Sequence, residues 1–179
     1  MLSIDTTLLL VIDVQERLFR VMHEKEKLLE NLQKLIRGAR AMGVPIMVTE
    51  QYPAGLGFTI PEIAQLIPDV TPITKFSFSC CGEEAFTPQM KALNRKQVLL
   101  TGIETHVCVY QTAVDLAGAG YEVQVVADCV SSRTAFNRDI GLNRMCASGA
   151  SITSVEIALF ELLKVAKGDK FKEISKIVK

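Results

Sequence analysis

Histidine is scarce in this chain: only His23 and His106 occur, and neither has a carboxylate at the spacing of a metal-ligand set. The five cysteines are odd in number, irregularly spaced, and form no Cys-x-x-Cys pair. Catalytic zinc sites use clusters of His, Cys and acidic ligands, and secreted disulfide frameworks use an even set of cysteines. We therefore expect neither a metal site nor a disulfide framework.

Nucleotide-binding motifs and an excess of basic charge are also missing. The letters DVQERL follow the first apolar run, where a dinucleotide site needs Gly-x-Gly-x-x-Gly, and no Walker-type Gly-Lys-Ser or Gly-Lys-Thr occurs. Basic and acidic residues number 20 each, so the charge balance does not indicate a nucleic-acid partner. We expect no cofactor and a small-molecule substrate.

Long hydrophobic segments are absent as well. The longest apolar run, LLLVID, is too short to cross a bilayer, and the segment 1–7 lacks the basic and apolar regions of a signal peptide. We expect a cytoplasmic protein that does not bind membranes.

The apolar pattern predicts a single α/β domain over residues 1–179. Several β-type runs are continuously apolar, which is typical of parallel strands that helices cover on both faces. Helical patterns lie between them, so the chain reads as βαβ units in a three-layer α/β/α fold. The predicted strands are 7–13, 45–50, 71–75, 97–102, 121–128 and 150–154, and the predicted helices are 27–42, 108–119, 134–148, 155–165 and 169–178.

Ligands of such folds bind beyond the carboxyl ends of the strands, so the residues that end strands are the candidates for chemistry. Asp13 closes the first run; a buried carboxylate there needs a partner, although Asp is also a common helix N-cap. Lys75 follows TPIT and could stabilise an anion, or could simply extend over the aromatic residues of the next loop. Asp128, which closes the fifth run, is a further candidate.

Cys108 is the candidate nucleophile. It lies at the predicted start of a helix, where backbone N–H groups favour a thiolate, although free cysteines are more often packing residues. His106 is two residues away, but neighbours at a turn seldom face each other as a Cys–His dyad requires. We interpret the other cysteines as apolar filler, with the adjacent Cys80–Cys81 pair as a redox alternative.

Five segments of the chain carry a family resemblance. They are LLLVIDVQ (8–15), VTEQYPAGLG (48–57), TKFSFSC (74–80), LLTGIETHVCVYQTAVDL (99–116) and VVADCVSSR (125–133). Taken in order, they resemble the isochorismatase-like cysteine hydrolases, a superfamily that includes nicotinamidases and N-carbamoylsarcosine amidohydrolase. The resemblance is greatest to the small isochorismatase-domain proteins of undefined substrate. It implies a six-stranded parallel sheet in the order 3-2-1-4-5-6, with the first and fourth strands side by side.

The resemblance also implies roles for individual residues. Cys108 would be the nucleophile, Asp13 its base and Lys75 the cation that holds both. A cis peptide bond would join Ile103 to Glu104, and the backbone N–H groups of Glu104 and Cys108 would form an oxyanion hole. The substrate pocket would be lined by Gln15, Phe19, Gln51, Phe76, Phe78 and Thr105, although some of these aromatics are equally compatible with the core.

The departures from the family pattern sharpen the expectation. Nicotinamidases carry a metal-binding Asp and two His after the second strand, whereas EQYPAGLG contains no histidine. True isochorismatases lack the cysteine, so Cys108 favours hydrolysis of a C–N bond. We expect a cofactor-independent amide or ureide hydrolase that forms a homo-oligomer, with 155–178 as a candidate interface. The alternatives are a silent binding module and a redox sensor.

Overall fold

A computed structural model describes residues 1–179 and contains one parallel sheet of six strands in the order β3-β2-β1-β4-β5-β6. This order confirms the predicted sheet and fold class. Because β1 and β4 are neighbours, the direction of strand succession reverses between them, which is where ligands bind in open α/β sheets. The strands are β1 Thr7–Ile12, β2 Ile46–Gln51, β3 Ile73–Lys75, β4 Gln97–Ile103, β5 Glu122–Ser131 and β6 Ser151–Thr153.

Helices cover both faces of the sheet. Helix α2 is the longest, and its buried residues recur at helical spacing, which explains why it packs along one face. No helix combines the length and apolar character needed to cross a bilayer. The α-helices are α1 Glu16–Phe19, α2 Lys25–Ala41, α3 Pro53–Leu56, α4 Pro61–Ala64, α5 Phe86–Leu93, α6 Tyr110–Gly118, α7 Ala135–Ala147, α8 Val155–Leu163 and α9 Gly168–Val178, with a 3-10 turn at Cys80–Gly82 and a π-helical turn at Thr105–Val109.

Two hydrophobic cores lie on opposite faces of the sheet. Along β1, Leu8, Leu10 and Ile12 face the core formed with α5, α6 and α7, whereas Leu9 and Val11 face the core formed with α2, α8 and α9. All five side chains are fully buried. The continuous apolar run of β1 therefore follows from burial on both faces.

The structure differs from the sequence prediction in several places. Helices α1, α3, α4 and α5 were not predicted, and the helix predicted from residue 108 begins at Tyr110. Strand β5 continues to Ser131, past Asp128, because its pairing with β4 shifts between Leu100 and Gly102. The Asp128 carboxylate lies in this irregular stretch and accepts the backbone N–H of Val155 at 3.0 Å. It therefore binds the first residue of α8, whose N-cap is Ser154, and does not end a strand at the site.

Candidate active site

The carboxyl ends of β1, β3 and β4 bring together Asp13, Lys75 and Cys108. The Lys75 Nζ lies 2.7 Å from Asp13 Oδ2, and both side chains are fully buried. Cys108 is only 6% exposed and is close enough to both residues for the charges of Asp13 and Lys75 to act on the pKa of its thiol. The three residues that the sequence analysis predicted to be catalytic therefore form one buried cluster.

Asp13 leaves β1 in the left-handed conformation, with φ 52°. Asp adopts this backbone region more readily than most residues. The conformation of the turn therefore favours Asp at this position, in addition to the need for a carboxylate. The Thr49 hydroxyl on β2 donates to Asp13 Oδ1 at 2.8 Å. Asp13 is not the N-cap of α1, because the cap position is occupied by Gln15.

Lys75 is held by oxygen atoms from several directions. Besides Asp13, its ammonium donates to Gln51 Oε1 at 2.7 Å and to the backbone oxygens of Phe78 at 3.1 Å and Ser77 at 3.2 Å. A lysine that reached toward solvent would not be fully buried. The structure therefore rules out the interpretation that Lys75 simply extends over the loop.

Cys108 lies in the π-helical turn that precedes α6. The Val109 N–H donates to the Glu104 oxygen at 3.3 Å, the five-residue spacing that defines this turn, and such turns are frequent at functional sites. The Ile103–Glu104 peptide bond is cis. The roles of the Glu104 and Cys108 N–H groups as oxyanion donors remain predictions.

Two glycines allow the close approach of the elements around the nucleophile. A Cβ on Gly102, whose φ is 112°, would lie 2.0 Å from the backbone oxygen of Ile12, so β4 can lie against the end of β1 only with glycine there. A Cβ on Gly141 of α7 would lie 2.9 Å from the Thr105 oxygen. Helix α7 therefore supports the turn that carries Cys108.

The electrostatics of the cluster correct one expectation. Burial, and then the charge of Asp13, raise the pKa of the Cys108 thiol to about 12, against the opposing charge of Lys75. Burial also raises the pKa of Asp13, although Lys75 opposes this. Burial alone would lower the pKa of Lys75, but the charges of Asp13 and Cys108 outweigh it and raise the pKa overall.

The raised pKa favours a resting thiol over the standing thiolate that the helix start suggested. One ammonium neutralises one negative charge, and a second anion in the same buried site is opposed by desolvation. Moving the thiol proton to Asp13 leaves the net charge unchanged. The arrangement supports activation of the sulfur by proton transfer within the cluster.

His106 does not form a dyad with the cysteine. Its Nδ1 lies 3.0 Å from the Ser132 hydroxyl, on the side of β5. The Glu104 carboxylate accepts from the backbone N–H of Arg133 at 3.2 Å and from its Nε at 3.0 Å. These contacts fasten the nucleophile turn to the end of β5.

Gln15 differs from its predicted role in substrate binding. Its fully buried amide donates to the backbone oxygens of Gly57 at 2.6 Å and Gln51 at 2.9 Å, and it accepts from the Gln51 N–H at 2.7 Å. Both amide protons are thus used by the protein. Gln15 therefore positions the loop after β2, and a direct contact with substrate would break these bonds.

The other predicted pocket residues have mixed environments. Phe19 is half-buried against the α2 core, and Gln51 bridges Lys75 to the Phe76 oxygen, which its Nε2 reaches at 2.8 Å. Phe76 and Phe78 are exposed. The Thr105 hydroxyl is buried without a protein partner, so it keeps free hydrogen-bonding capacity.

The remaining cysteines are not uniform. Cys80 and Cys129 are buried, as filler would be, whereas Cys81 is half-buried and Cys146 is exposed, which contradicts the filler interpretation for Cys146. All five are free thiols. No group of three or more His, Cys, Asp or Glu side chains is arranged to hold a metal ion.

Comparison with known proteins identifies relatives of this fold. Residues 7–157 match the isochorismatase domain family. A protein of Phytophthora sojae named secreted isochorismatase effector Isc1 is 42% identical over 180 aligned positions, which cover 97% of this chain and 85% of that protein. Isochorismatase domain-containing protein 1 of Danio rerio is 40% identical over 99% of this chain, which spans 62% of that protein's length.

A solved structure agrees with these matches. The structure described as MAR1 ribonuclease from Caenorhabditis elegans superposes with a TM-score of 0.91 at 34% sequence identity, covering 99% of this chain and 91% of that one.

Proposed function

This chain belongs to the isochorismatase family, and on that premise we propose that it is a cofactor-independent hydrolase of C–N bonds in small amides or ureides. The observation that carries the proposal is the buried cluster of Asp13, Lys75 and Cys108 at the switch point of the sheet. A thiol beside a carboxylate base is the arrangement that nucleophilic catalysis needs.

The reaction uses the proton that the cluster already contains. Asp13 takes the proton of Cys108 as the sulfur attacks the substrate carbonyl carbon, and the N–H groups of Glu104 and Cys108 hold the developing oxyanion. The protonated Asp13 then gives its proton to the departing amine, leaving a thioester. Asp13 next accepts a proton from water as the water oxygen attacks the thioester carbon. The C–S bond breaks, the acid product departs, and Asp13 returns the proton to the Cys108 sulfur. Lys75 keeps the cluster neutral throughout.

The test is hydrolysis of a panel of amides, ureides and activated esters by wild type, Cys108→Ala and Asp13→Asn. We expect both variants to lose at least about 100-fold in rate, because general acid–base catalysis alone contributes that much. An acid quench of wild type should trap an acyl group on Cys108 by mass. Activity that persists unchanged in both variants would reject the mechanism. The matched control is Cys146→Ala, which removes an exposed thiol and should keep its activity.

The panel includes RNA because the C. elegans structure at 34% identity is described as a ribonuclease. The balance of 20 basic and 20 acidic residues gives no electrostatic support for RNA binding. Cleavage of RNA that depends on Cys108 would replace the amide proposal.

A second candidate is a family member that binds a small molecule without turnover. The raised pKa and low exposure of Cys108 favour it, because a protonated and buried sulfur is a weak nucleophile. This candidate predicts that iodoacetamide labels Cys108 no faster than an ordinary thiol and that no member of the panel is hydrolysed.

We also propose that the chain forms a homo-oligomer in a reducing, cytoplasmic compartment. The five free thiols support that compartment. Helix α9 buries Ile174 in the core that it shares with α2 and α8. In the C-terminal third of the chain, several exposed apolar residues lie on α7, β6 and α8. The exposed residues there are Phe136, Ile140, Ile152, Ile157 and Phe160.

Light scattering tests the assembly. Ile157→Glu should lower the molar mass if α8 is at an interface, and Val21→Glu, an equally exposed residue elsewhere, should not. A monomeric wild type would reject the oligomer.

A further inference from the structure

Four exposed aromatic side chains lie on the two loops that follow β2 and β3. Tyr52 is 49% exposed, Phe58 66%, Phe76 69% and Phe78 54%. We call these four residues the aromatic rim. The ring centroids of Tyr52 and Phe76 are 5.8 Å apart, within the range of interacting aromatic pairs. A grouped set of exposed aromatic rings usually marks a binding surface.

The backbone near Tyr52, Phe76 and Phe78 contacts Lys75 of the buried cluster. The oxygens of Ser77 and Phe78 accept from the Lys75 ammonium, so the segment with Phe76 and Phe78 curls around it. The Tyr52 N–H donates to the Lys75 backbone oxygen at 2.9 Å. The rim and the nucleophile cluster thus share Lys75 as a common centre.

Hydrogen bonds fix the loop that carries Phe76. The backbone N–H groups of Phe76 and Ser77, together with the Ser77 hydroxyl, each lie 2.7 Å from Glu83 Oε1. The Phe76 oxygen is in turn bound by the Gln51 side chain. The exposure of Phe76 therefore belongs to a held loop, not to a loose one.

The loop after β2 is held in the same way. Tyr52 has φ 37°, and its ring lies over Gly55, where a Cβ would be 2.1 Å from Tyr52 Cε1. Gln15 binds the oxygen of Gly57, and the Phe58 oxygen accepts the Glu16 N–H at 3.0 Å. The conformations of both loops are therefore fixed by contacts within the protein and do not depend on a ligand.

The charged groups near the cluster already have protein partners. Lys75 has Asp13 and three further oxygens, Glu83 has its loop, and the Glu104 carboxylate has Arg133. An ionic substrate would have to compete with these contacts. An apolar group would need only to cover rings that are in contact with water.

From these contacts we infer that the aromatic rim binds an apolar, uncharged portion of the substrate, so that the substrate class is amides with an aromatic or branched aliphatic group. This inference rests on the proposed function, because it takes Cys108 as the reacting atom. Recognition by the rim and reaction at the sulfur remain separable by experiment.

The experiment labels Cys108 with three chloroacetamides and follows the labelled peptide by mass. The probes are N-benzyl chloroacetamide, N-carboxymethyl chloroacetamide and unsubstituted chloroacetamide. We expect the benzyl probe to label at least about tenfold faster than the unsubstituted one at low concentration, with saturation, and the carboxymethyl probe to show no gain. Equal rates for the benzyl and unsubstituted probes, or a faster carboxymethyl probe, would overturn the inference.

Variants assign the preference to the rim. Phe76→Ala and Phe78→Ala should reduce severalfold the ratio of the benzyl rate to the rate with unsubstituted chloroacetamide. Phe136→Ala removes an equally exposed ring on α7 and should change neither rate. A benzyl advantage that survives both rim substitutions would contradict the inference.

Two results distinguish this inference from the hydrolase proposal and from the formation of an oligomer. If the amide panel is not hydrolysed but the benzyl preference depends on Phe76 and Phe78, the hydrolase proposal fails and the rim stands. If Phe76→Ala or Phe78→Ala lowers the molar mass by light scattering, the rim binds a second copy of the chain, and the inference about substrate is wrong.

Discussion

The Lys75 ammonium lies 2.7 Å from the Asp13 carboxylate, and water reaches neither side chain. A buried pair of this kind gives little net stability compared with apolar residues, but loss of one partner leaves the other unpaired. The pair therefore makes the cluster sensitive to single substitutions in a way that a surface ion pair is not.

Lys75→Met should lower the free energy of unfolding by about 3–5 kcal/mol, because it leaves the Asp13 carboxylate buried without a cation. The double variant with Asp13→Asn should recover part of that loss, since no charge is left to bury. Denaturant unfolding measures both. A Lys75→Met protein as stable as wild type would mean that water reaches Asp13 in solution.

Asp13→Asn should lower the pKa of Cys108. In wild type, burial and the Asp13 charge hold that pKa at about 12, so labelling by iodoacetamide should show no inflection near pH 9. Without the carboxylate, the opposing charge of Lys75 remains and favours the thiolate. The variant should then label faster at pH 8 while its hydrolysis is lost. Asp139→Asn, on the exposed face of α7, is the control, and a pH profile unchanged in Asp13→Asn would contradict the assignment.

The protein should lose stability as the pH rises above 9. Burial raises the pKa of Cys80 and Cys108 to about 12, and that of Cys129 well above 9.0. Unfolded thiols ionise near 9, so above this pH the unfolded state binds fewer protons than the folded one and the free energy of unfolding falls. The slope is at most about 1.4 kcal/mol per pH unit for each thiol.

Denaturant unfolding between pH 7 and 10.5 checks this slope. Cys129→Ala should make it shallower, since one buried thiol is removed, and the exposed Cys146→Ala should leave it unchanged. A flat profile in wild type would show that the thiols ionise while the protein is folded.

Gly102→Ala should destabilise the fold by at least about 2 kcal/mol, because its methyl group would lie 2.0 Å from the Ile12 oxygen and its φ is 112°. Gly118→Ala, at the end of α6 with open space around its Cβ, should be neutral or slightly stabilising. Thermal unfolding of the two variants provides the comparison. Equal melting temperatures would show that β4 can move away from β1 at no cost.

The sequence predicts the parts of this molecule that depend on local pattern. The apolar runs that end at Asp13 and Lys75 place both residues at the carboxyl edge of a parallel sheet, and the structure brings them to Cys108. The family resemblance supplied the strand order, which no periodicity contains. Helix α5 was missed because it is short and carries Pro88 near its start.

Other features depend on contacts between distant parts of the chain. The role of Gln15 in holding the loop after β2 could not be predicted, because its partners lie 36 and 42 residues away. The prediction of a resting thiolate considered the start of the helix and Lys75, but not the burial and the adjacent carboxylate that raise the pKa of the Cys108 thiol. The sequence analysis did not identify Tyr52 and Phe58, because the path of the loop after β2 decides their exposure.

The hydrogen bonds that Gln15 makes to the loop after β2 have a consequence for engineering. A single side chain on the segment after β1 ties together the beginning and the end of the loop from Gln51 to Gly57. The corresponding loop of a relative could not replace it alone, because the residue that holds that loop in the relative would have to be introduced as well. An exchange of the loop without that residue would change the conformation of the loop before it changed the choice of substrate.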